Sequence, residues 1–276
     1  ADGKLTADLH LNTAAKGYSL NLQLADLQGK PVGPAIKSAS LSKDKVISLS
    51  AEYDDIATWT PESPNLYLLS ATLSDRKGQA VHTRTVRIGF RTVELRKHDG
   101  LFVNGQRVIF KGVNRHSFRP ESGRALAHSD HLEDILLMKE MNMNAVRSSH
   151  YGPDKRFLEL CDSLGLFVMD ELTGWQDGYD PTVGAKLARE LVLKDENHPS
   201  VIIWSLGNES SSDEKFSRIA ARLREMDSRP IHYEQDFAGE YTDLYSAMYP
   251  SPQDWALVAE GGHYNFRTAM LGWSKV

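Results

Sequence analysis

Val201-Ile-Ile-Trp-Ser-Leu-Gly-Asn-Glu209 is the stretch from which the rest of the chain can be read. It opens on three apolar, β-branched residues and closes on a polar pair, Asn208-Glu209. A short run that is apolar throughout is the pattern of a strand buried on both faces, as in a parallel sheet flanked by helices. Just ahead of it, Asn197-His198-Pro199-Ser200 supplies a turn that stops a preceding helix. In a barrel of alternating strands and helices, chemistry collects at the carboxyl ends of the strands. Asn208 and Glu209 fall where such an end would be.

Outward from this stretch the same alternation continues, which implies a parallel sheet. Arg107–Val113 reads as a first barrel strand ending in Asn114-Arg115-His116. Ala145-Val146-Arg147 reads as the second, followed by Ser148-Ser149-His150-Tyr151, and Leu166–Glu171 as the third. Ile231–Glu234 and Leu244–Tyr249 follow as fifth and sixth. Helices are predicted over Asp130–Met141, Asp154–Leu164, Val183–Glu196 and Asp213–Met226, with Asp213 as a cap. An eight-stranded barrel takes about 250 residues, more than follow residue 92, so the barrel is expected to be incomplete, with six or seven strands.

Residues 1–92 have a different period. Leu5–Asn12, Tyr18–Leu24 and Lys45–Ser50 alternate apolar and polar, with turn chemistry at Gln28-Gly29-Lys30, Ser42-Lys43-Asp44 and Arg76-Lys77-Gly78. Such spacing points to a small sandwich that braces the barrel. A hairpin is expected around Asn104-Gly105. The fold expectation is therefore an immunoglobulin-like β-sandwich over residues 1–92, then an incomplete TIM-type (β/α) barrel over residues 93–276.

Composition narrows the function classes. The chain is 41% hydrophobic and 25% charged, as soluble globular proteins are. A formal net charge of -5 with no basic block argues against nucleic acid as a partner. No apolar run approaches the roughly 18 residues that span a bilayer, so no membrane partner is expected. Cys161, the single cysteine, excludes an internal disulfide. The compartment stays open between cytoplasmic and periplasmic or secreted.

The Asn-His-Pro-Ser turn, the apolar run and Trp-Ser-Leu-Gly-Asn-Glu together resemble the acid/base strand of family 2 glycoside hydrolases, the β-galactosidases and their relatives. Trp59–Tyr67 and Gly89-Phe90-Arg91 resemble that family's sandwich and its crossover into the barrel. The resemblance implies hydrolysis of terminal β-galactoside-type linkages by two carboxylates, which in retaining enzymes lie about 5–5.5 Å apart. By the same resemblance Glu209 is the acid/base and Asn208 the contact to the sugar 2-hydroxyl. His116 and His150 line the sugar site, Arg147 orients the nucleophile and Tyr249 lies beside it.

At two places the sequence departs from that pattern. Where magnesium-dependent relatives carry a glutamate and a histidine, this chain has Trp175 and Asp177. One carboxylate does not make a magnesium site, so neither metal nor cofactor is expected. Trp175 could stack on a sugar ring or be a core residue. The second departure is the nucleophile, for which Leu257-Val-Ala-Glu260-Gly-Gly-His263 is the local lookalike. Only Pro250–Ala256 separates Glu260 from the sixth strand, shorter than the dozen or more residues of a usual parallel crossover. The alternative for Glu260 is a solvated carboxylate on a divergent tail. Rival functions are an inactive sugar-binding or interaction module and a fragment that another chain completes. An open barrel leaves strand edges that invite pairing, so a homo-oligomer covering them is expected.

Overall fold

The computed structural model describes residues 3–38, 40–43, 45–97, 99–174, 180–210, 214–234, 236, 239–246, 251–253, 256 and 260. Its first part is a β-sandwich of immunoglobulin-like type. Strands β1 (Gly3–His10) and β4 (Val46–Tyr53) pair antiparallel as one sheet. The facing sheet runs β3 (Ile36–Lys37), β2 (Ser19–Ala25), β5 (Tyr67–Ser74), β6 (Ala80–Ile88). The period-2 pattern has its physical counterpart in β2, where Leu20, Leu22 and Leu24 are buried and the residues between them are not. Leu22 and Leu24 meet Leu5, Tyr53, Ile56 and Leu69 in one core. The two-residue β3 carries too short a pattern to be read from sequence.

A three-stranded antiparallel sheet joins this part to the next: β7 (Val93–Arg96), β8 (Gly100–Val103) and β9 (Gln106–Arg107). Asn104 and Gly105 both adopt positive φ, 51° and 75°, as a two-residue hairpin turn of the primed type requires. That turn accounts for a correction. Arg107, read as the start of the first barrel strand, folds back onto β8 instead, opposite Phe102. The barrel strand β10 is Gly112–Arg115. Between the two, Asn144 occupies the backbone: its Oδ1 accepts the Lys111 N–H at 2.8 Å and its Nδ2 donates to Ile109 O at 3.0 Å.

From β10 onward, strand and helix alternate. Helix α1 (His128–Glu140), β11 (Ala145–Ser148), α2 (Lys155–Leu164), β12 (Phe167–Glu171), α3 (Pro181–Asp195), β13 (Val201–Ser205), α4 (Glu214–Arg224) and β14 (Ile231–His232) follow in order. The sheet is parallel throughout and ordered β10-β11-β12-β13-β14. All five residues of β13 are buried, as the opening stretch implied. Val168, Val201 and Trp204 face the helices and pack with Phe157, Val192 and Phe216. Phe167, Ile202 and Ile203 face the barrel interior, where Trp59, Leu101 and Val103 plug its base.

Helix starts follow side-chain chemistry. Asp154 accepts the Arg156 N–H at 2.8 Å, and Asp180 accepts those of Thr182 and Val183, ahead of Pro181. Asp213, the expected cap of α4, lies outside the described residues. Of the expected sixth strand only the start is described: Leu244 forms an isolated parallel bridge to His232, and Asp243 N–H donates to Ile231 O at 2.8 Å. The described barrel is thus an open sheet of five strands with β10 and β14 at its edges.

The two parts are tied at the base of β13. Arg91 donates from Nε to Pro199 O at 2.6 Å and from Nη2 to Val201 O at 2.7 Å. Fully buried Trp59 donates from Nε1 to Asp162 O at 2.8 Å. Gly89 has no room for a side chain, since a Cβ there would lie 2.9 Å from Pro199. The Asn-His-Pro-Ser turn is gripped from α2. Asp162 accepts Ser200 Oγ at 2.6 Å and Ser200 N–H at 3.1 Å, and pairs with His198 Nδ1 at 2.5 Å.

Candidate active site

Five strand ends converge on one polar cluster, and its centre is Glu171, the last residue of β12. This carboxylate is fully buried. Its Oε2 accepts from Arg147 Nε at 2.6 Å and from Ser205 Oγ at 2.7 Å, and its Oε1 lies 2.8 Å from His150 Nδ1. A carboxylate in an ion pair only accepts, so His150 carries its hydrogen on Nδ1. Ser205 donates its one hydrogen to Glu171, so it accepts from His232 Nδ1–H, 2.9 Å away. Burial, then the Arg147 charge, pushes His232 down to about 3, which favours a neutral ring, and this bond fixes its hydrogen on Nδ1.

Arg147, on β11, spreads its guanidinium over the strand ends. Besides Glu171 it reaches Asn114 Oδ1 at 3.2 Å and Asn208 Oδ1 at 3.0 Å. With its oxygen taken, the Asn208 amide turns its nitrogen to Glu209, donating from Nδ2 to Oε2 at 3.2 Å. A continuous chain therefore runs Glu171, Arg147, Asn208, Glu209. Asn208 N–H is held in turn by Gly174 O at 3.0 Å.

Glu209 sits in an unusual backbone. Gly207 has φ of 137°, and Glu209 itself has φ of 42°, a left-handed conformation that non-glycine residues avoid. Its backbone N–H donates to the Glu234 carboxyl, two residues past β14. Burial and the nearby Glu209 charge push Glu234 up to about 7, against the opposing pull of that same backbone bond. His116 and His150 meet edge to face, ring centroids 5.1 Å apart. Burial, followed by the charges of His150, Arg124 and Arg147, lowers the His116 pKa, which favours its neutral form. A cavity of about 390 Å³ opens inside the strands, lined among others by Arg147, Asn208, His232 and Glu234.

Of the residues singled out from sequence, the structure thus gathers Glu209, Asn208, Arg147, His150 and His116. Trp175, Tyr249 and Asp177 lie outside the described residues. Glu260 is exposed and sits in a turn, its N–H donating to Ala256 O at 3.0 Å in helical fashion, with Gln253 and Ala256 helical before it. Of the lookalike stretch 257–263, Glu260 alone is among the described residues. Glu171, Ser205, His232 and Glu234 were missed as site residues. The signal they share with Asn208-Glu209 is a polar residue closing an apolar strand. Among the described residues, no three His, Cys, Asp or Glu side chains gather as metal ligands, and no helix is long and apolar enough to cross a membrane.

A parallel strand–helix barrel set behind a β-sandwich, with carboxylates at its strand ends, is an arrangement that this chain shares with known proteins. Residues 93–266 match the family described as "Glycosyl hydrolases family 2, TIM barrel domain", and residues 1–91 match "Glycosyl hydrolases family 2". The chain belongs to glycosyl hydrolase family 2. It is 37% identical, over 92% of its length, to a beta-galactosidase of Priestia megaterium, of which it covers 27%. To a beta-galactosidase of Lactococcus lactis it is 41% identical, over 69% of this chain and 21% of that one. A family 2 glycosyl hydrolase from Bacteroides cellulosilyticus has the same fold, with a TM-score of 0.82 at 22% identity over 94% of this chain and 38% of that one. The chain spans about a quarter of the length of the curated relatives it matches.

Proposed function

We propose that this chain carries the acid/base part of a retaining β-glycosidase site and acts on β-galactoside-type linkages. In this reading residues 93–276 hold the chemistry and residues 1–92 brace it. The observation that carries it is the hydrogen-bonded chain from Glu171 through Arg147 and Asn208 to Glu209 at adjacent strand ends. As a second carboxylate bonds to the anomeric carbon and the glycosidic bond breaks, Glu209 would protonate the departing oxygen, then take a proton from the water that displaces that carboxylate. Asn208, oriented by Arg147, would hold the sugar 2-hydroxyl, and His116 and His150 would line the same pocket. The name shared by the relatives supports the galactoside preference. A second copy of the chain would cover an exposed edge, β10 or β14.

The test is turnover of a panel of nitrophenyl β-glycosides by the 276-residue chain beside Glu209→Gln. Galactoside turnover that falls at least ~100-fold in the variant is expected, the range in which general acid–base catalysis contributes. A folded chain that turns over none of the panel would sink the proposal. One observation favours a second reading: Glu260, the nearest sequence lookalike of a nucleophile, is exposed in a helical turn. In that reading the site binds sugar without cleaving it. Saturation-transfer NMR with methyl β-galactoside, positive in a chain without turnover, would establish it.

A further inference from the structure

Glu234 and Tyr233 lie side by side just beyond β14, and both reach across to the segment that carries Glu209. The Glu234 carboxyl accepts the N–H of Glu209, and the Tyr233 hydroxyl donates to the carbonyl of Ser210. One grips the peptide that enters Glu209 and the other the carbonyl of the residue after it. Tyr233 is itself fixed by its ring, which stacks on Phe216 of α4 at 4.4 Å between centroids and 14° between planes. Ser210 Oγ closes the loop by donating to Asn208 O at 3.1 Å. Left-handed backbone at a residue with a side chain persists only where its surroundings over-determine it. Here the surroundings are these two neighbours on the next strand.

We infer that Glu234 is the positioning residue for Glu209: it holds the Glu209 N–H while Tyr233 holds the Ser210 carbonyl, and together they fix the left-handed turn that presents Glu209 beside Asn208. The acid/base role of Glu209 is taken from the function proposed above, whereas the clasp concerns the backbone alone. Glu234 is buried, 4% exposed, and among the described residues the titratable groups that face it are Glu209, Arg147, Glu171 and Tyr233. With its carboxyl near half-ionised at neutral pH, the clasp has two strengths. An ionised acceptor makes the stronger bond to an N–H, so the turn tightens as pH rises through about 7, while a negative charge appears beside Glu209.

The experiment follows the ¹⁵N-labelled 276-residue chain between about pH 5 and pH 9, a window wide enough to span the shifted carboxyl. The Glu209 amide signal and turnover of 4-nitrophenyl β-galactoside are read in the parent, in Glu234→Gln and in Glu234→Ala. In the parent, the Glu209 amide shift should titrate with a midpoint near 7. Glu234→Gln keeps an acceptor oxygen, so the amide stays protected, its shift becomes flat with pH, and the kcat profile loses its step near 7. Glu234→Ala frees the amide, which should exchange about tenfold faster or more, with kcat about 100-fold lower and KM within about threefold. A Glu209 amide that is indifferent to both substitutions overturns the inference, as does an unchanged kcat in a folded Glu234→Ala. If the parent shows no turnover, the amide titration alone decides the clasp, and only the acid/base reading falls.

Discussion

Asp170 and Glu171 are consecutive on β12 and both fully buried, yet the chain surrounds them in opposite ways. Glu171 points into the barrel, where Arg147, Ser205 and His150 all turn donors toward it. Asp170 points the other way, to the helix face, where its neighbour is another buried carboxylate, Asp195 at the end of α3. Burial and that neighbour push Asp170 well above the usual carboxylate range, against the weaker pull of Lys194 and Arg229. Lys194 lies nearer to Asp195, in an ion pair at 2.9 Å, while its ammonium donates to Pro153 O. Burial by itself therefore does not set the state of a carboxyl group. What decides is whether the next layer supplies donors or a like charge. The polar face of β12 serves the site, and its other face holds, under the helices, a carboxyl whose pKa burial and Asp195 push up.

The largest break in this comparison comes from Glu171→Ala. It leaves the mostly buried Arg147 without its counter-charge, a change that costs about 3–5 kcal/mol when a buried pair loses one member. Urea unfolding of parent and variant measures it, and a loss below about 1 kcal/mol would mean that the cluster is not held by charge.

Asp170→Asn should act in the opposite direction and depend on pH. The folded carboxyl holds its proton more tightly than the unfolded one, whose pKa is about 3.9. Folded stability therefore falls as pH climbs from about 4 toward the folded midpoint, at a limiting slope of about 1.4 kcal/mol per pH unit. Asparagine has no such titration. The variant should match the parent near pH 4 and gain on it steadily as pH rises toward neutral, read from urea midpoints at several pH values. A parallel pair of stability curves would show that Asp170 is not protonated in the fold.

The smallest effect is expected from Ser205→Ala. This change removes one donor to Glu171 and the acceptor for His232 while leaving the ion pair intact. A loss of about 1–2 kcal/mol in thermal or urea unfolding fits one hydrogen bond and one orphaned partner. A loss as large as that of Glu171→Ala would instead make the serine the keystone of the cluster.

Much of this was legible in the sequence because it is periodic or locally capped. The β13 run, the alternation of β2 and the Asp154 cap each declare themselves within a few residues, and Asn208-Glu209 stood out by closing the most apolar strand. Glu171 and Glu234 did not, because a glutamate after an apolar run is as often solvated as buried. Only pairing across strands shows which it is: Glu171 meets Arg147 at a separation of 24 residues, and Glu234 meets Glu209 at 25. The misplacement of β10 had the same origin. Val108-Ile-Phe110 has strand character, but the Asn144 side chain, contributed by a later turn, takes its backbone bonds. For Glu260 the apolar-apolar-small-Glu order imitates a strand end, whereas the helical bond to Ala256 sets the local backbone.

Arg91 and Trp59 carry one more consequence. Both belong to the sandwich side, and both end on backbone carbonyls around the foot of β13: Pro199, Val201 and Asp162. The strand that carries Asn208 and Glu209 is thus stitched at its amino end to the first part of the chain and presents its chemistry at the other. In hydrogen-exchange terms this stitching predicts that the foot of β13 opens together with the sandwich contacts that hold it. The sandwich contacts thus lie seven and eight residues before Asn208 and Glu209 along the same segment.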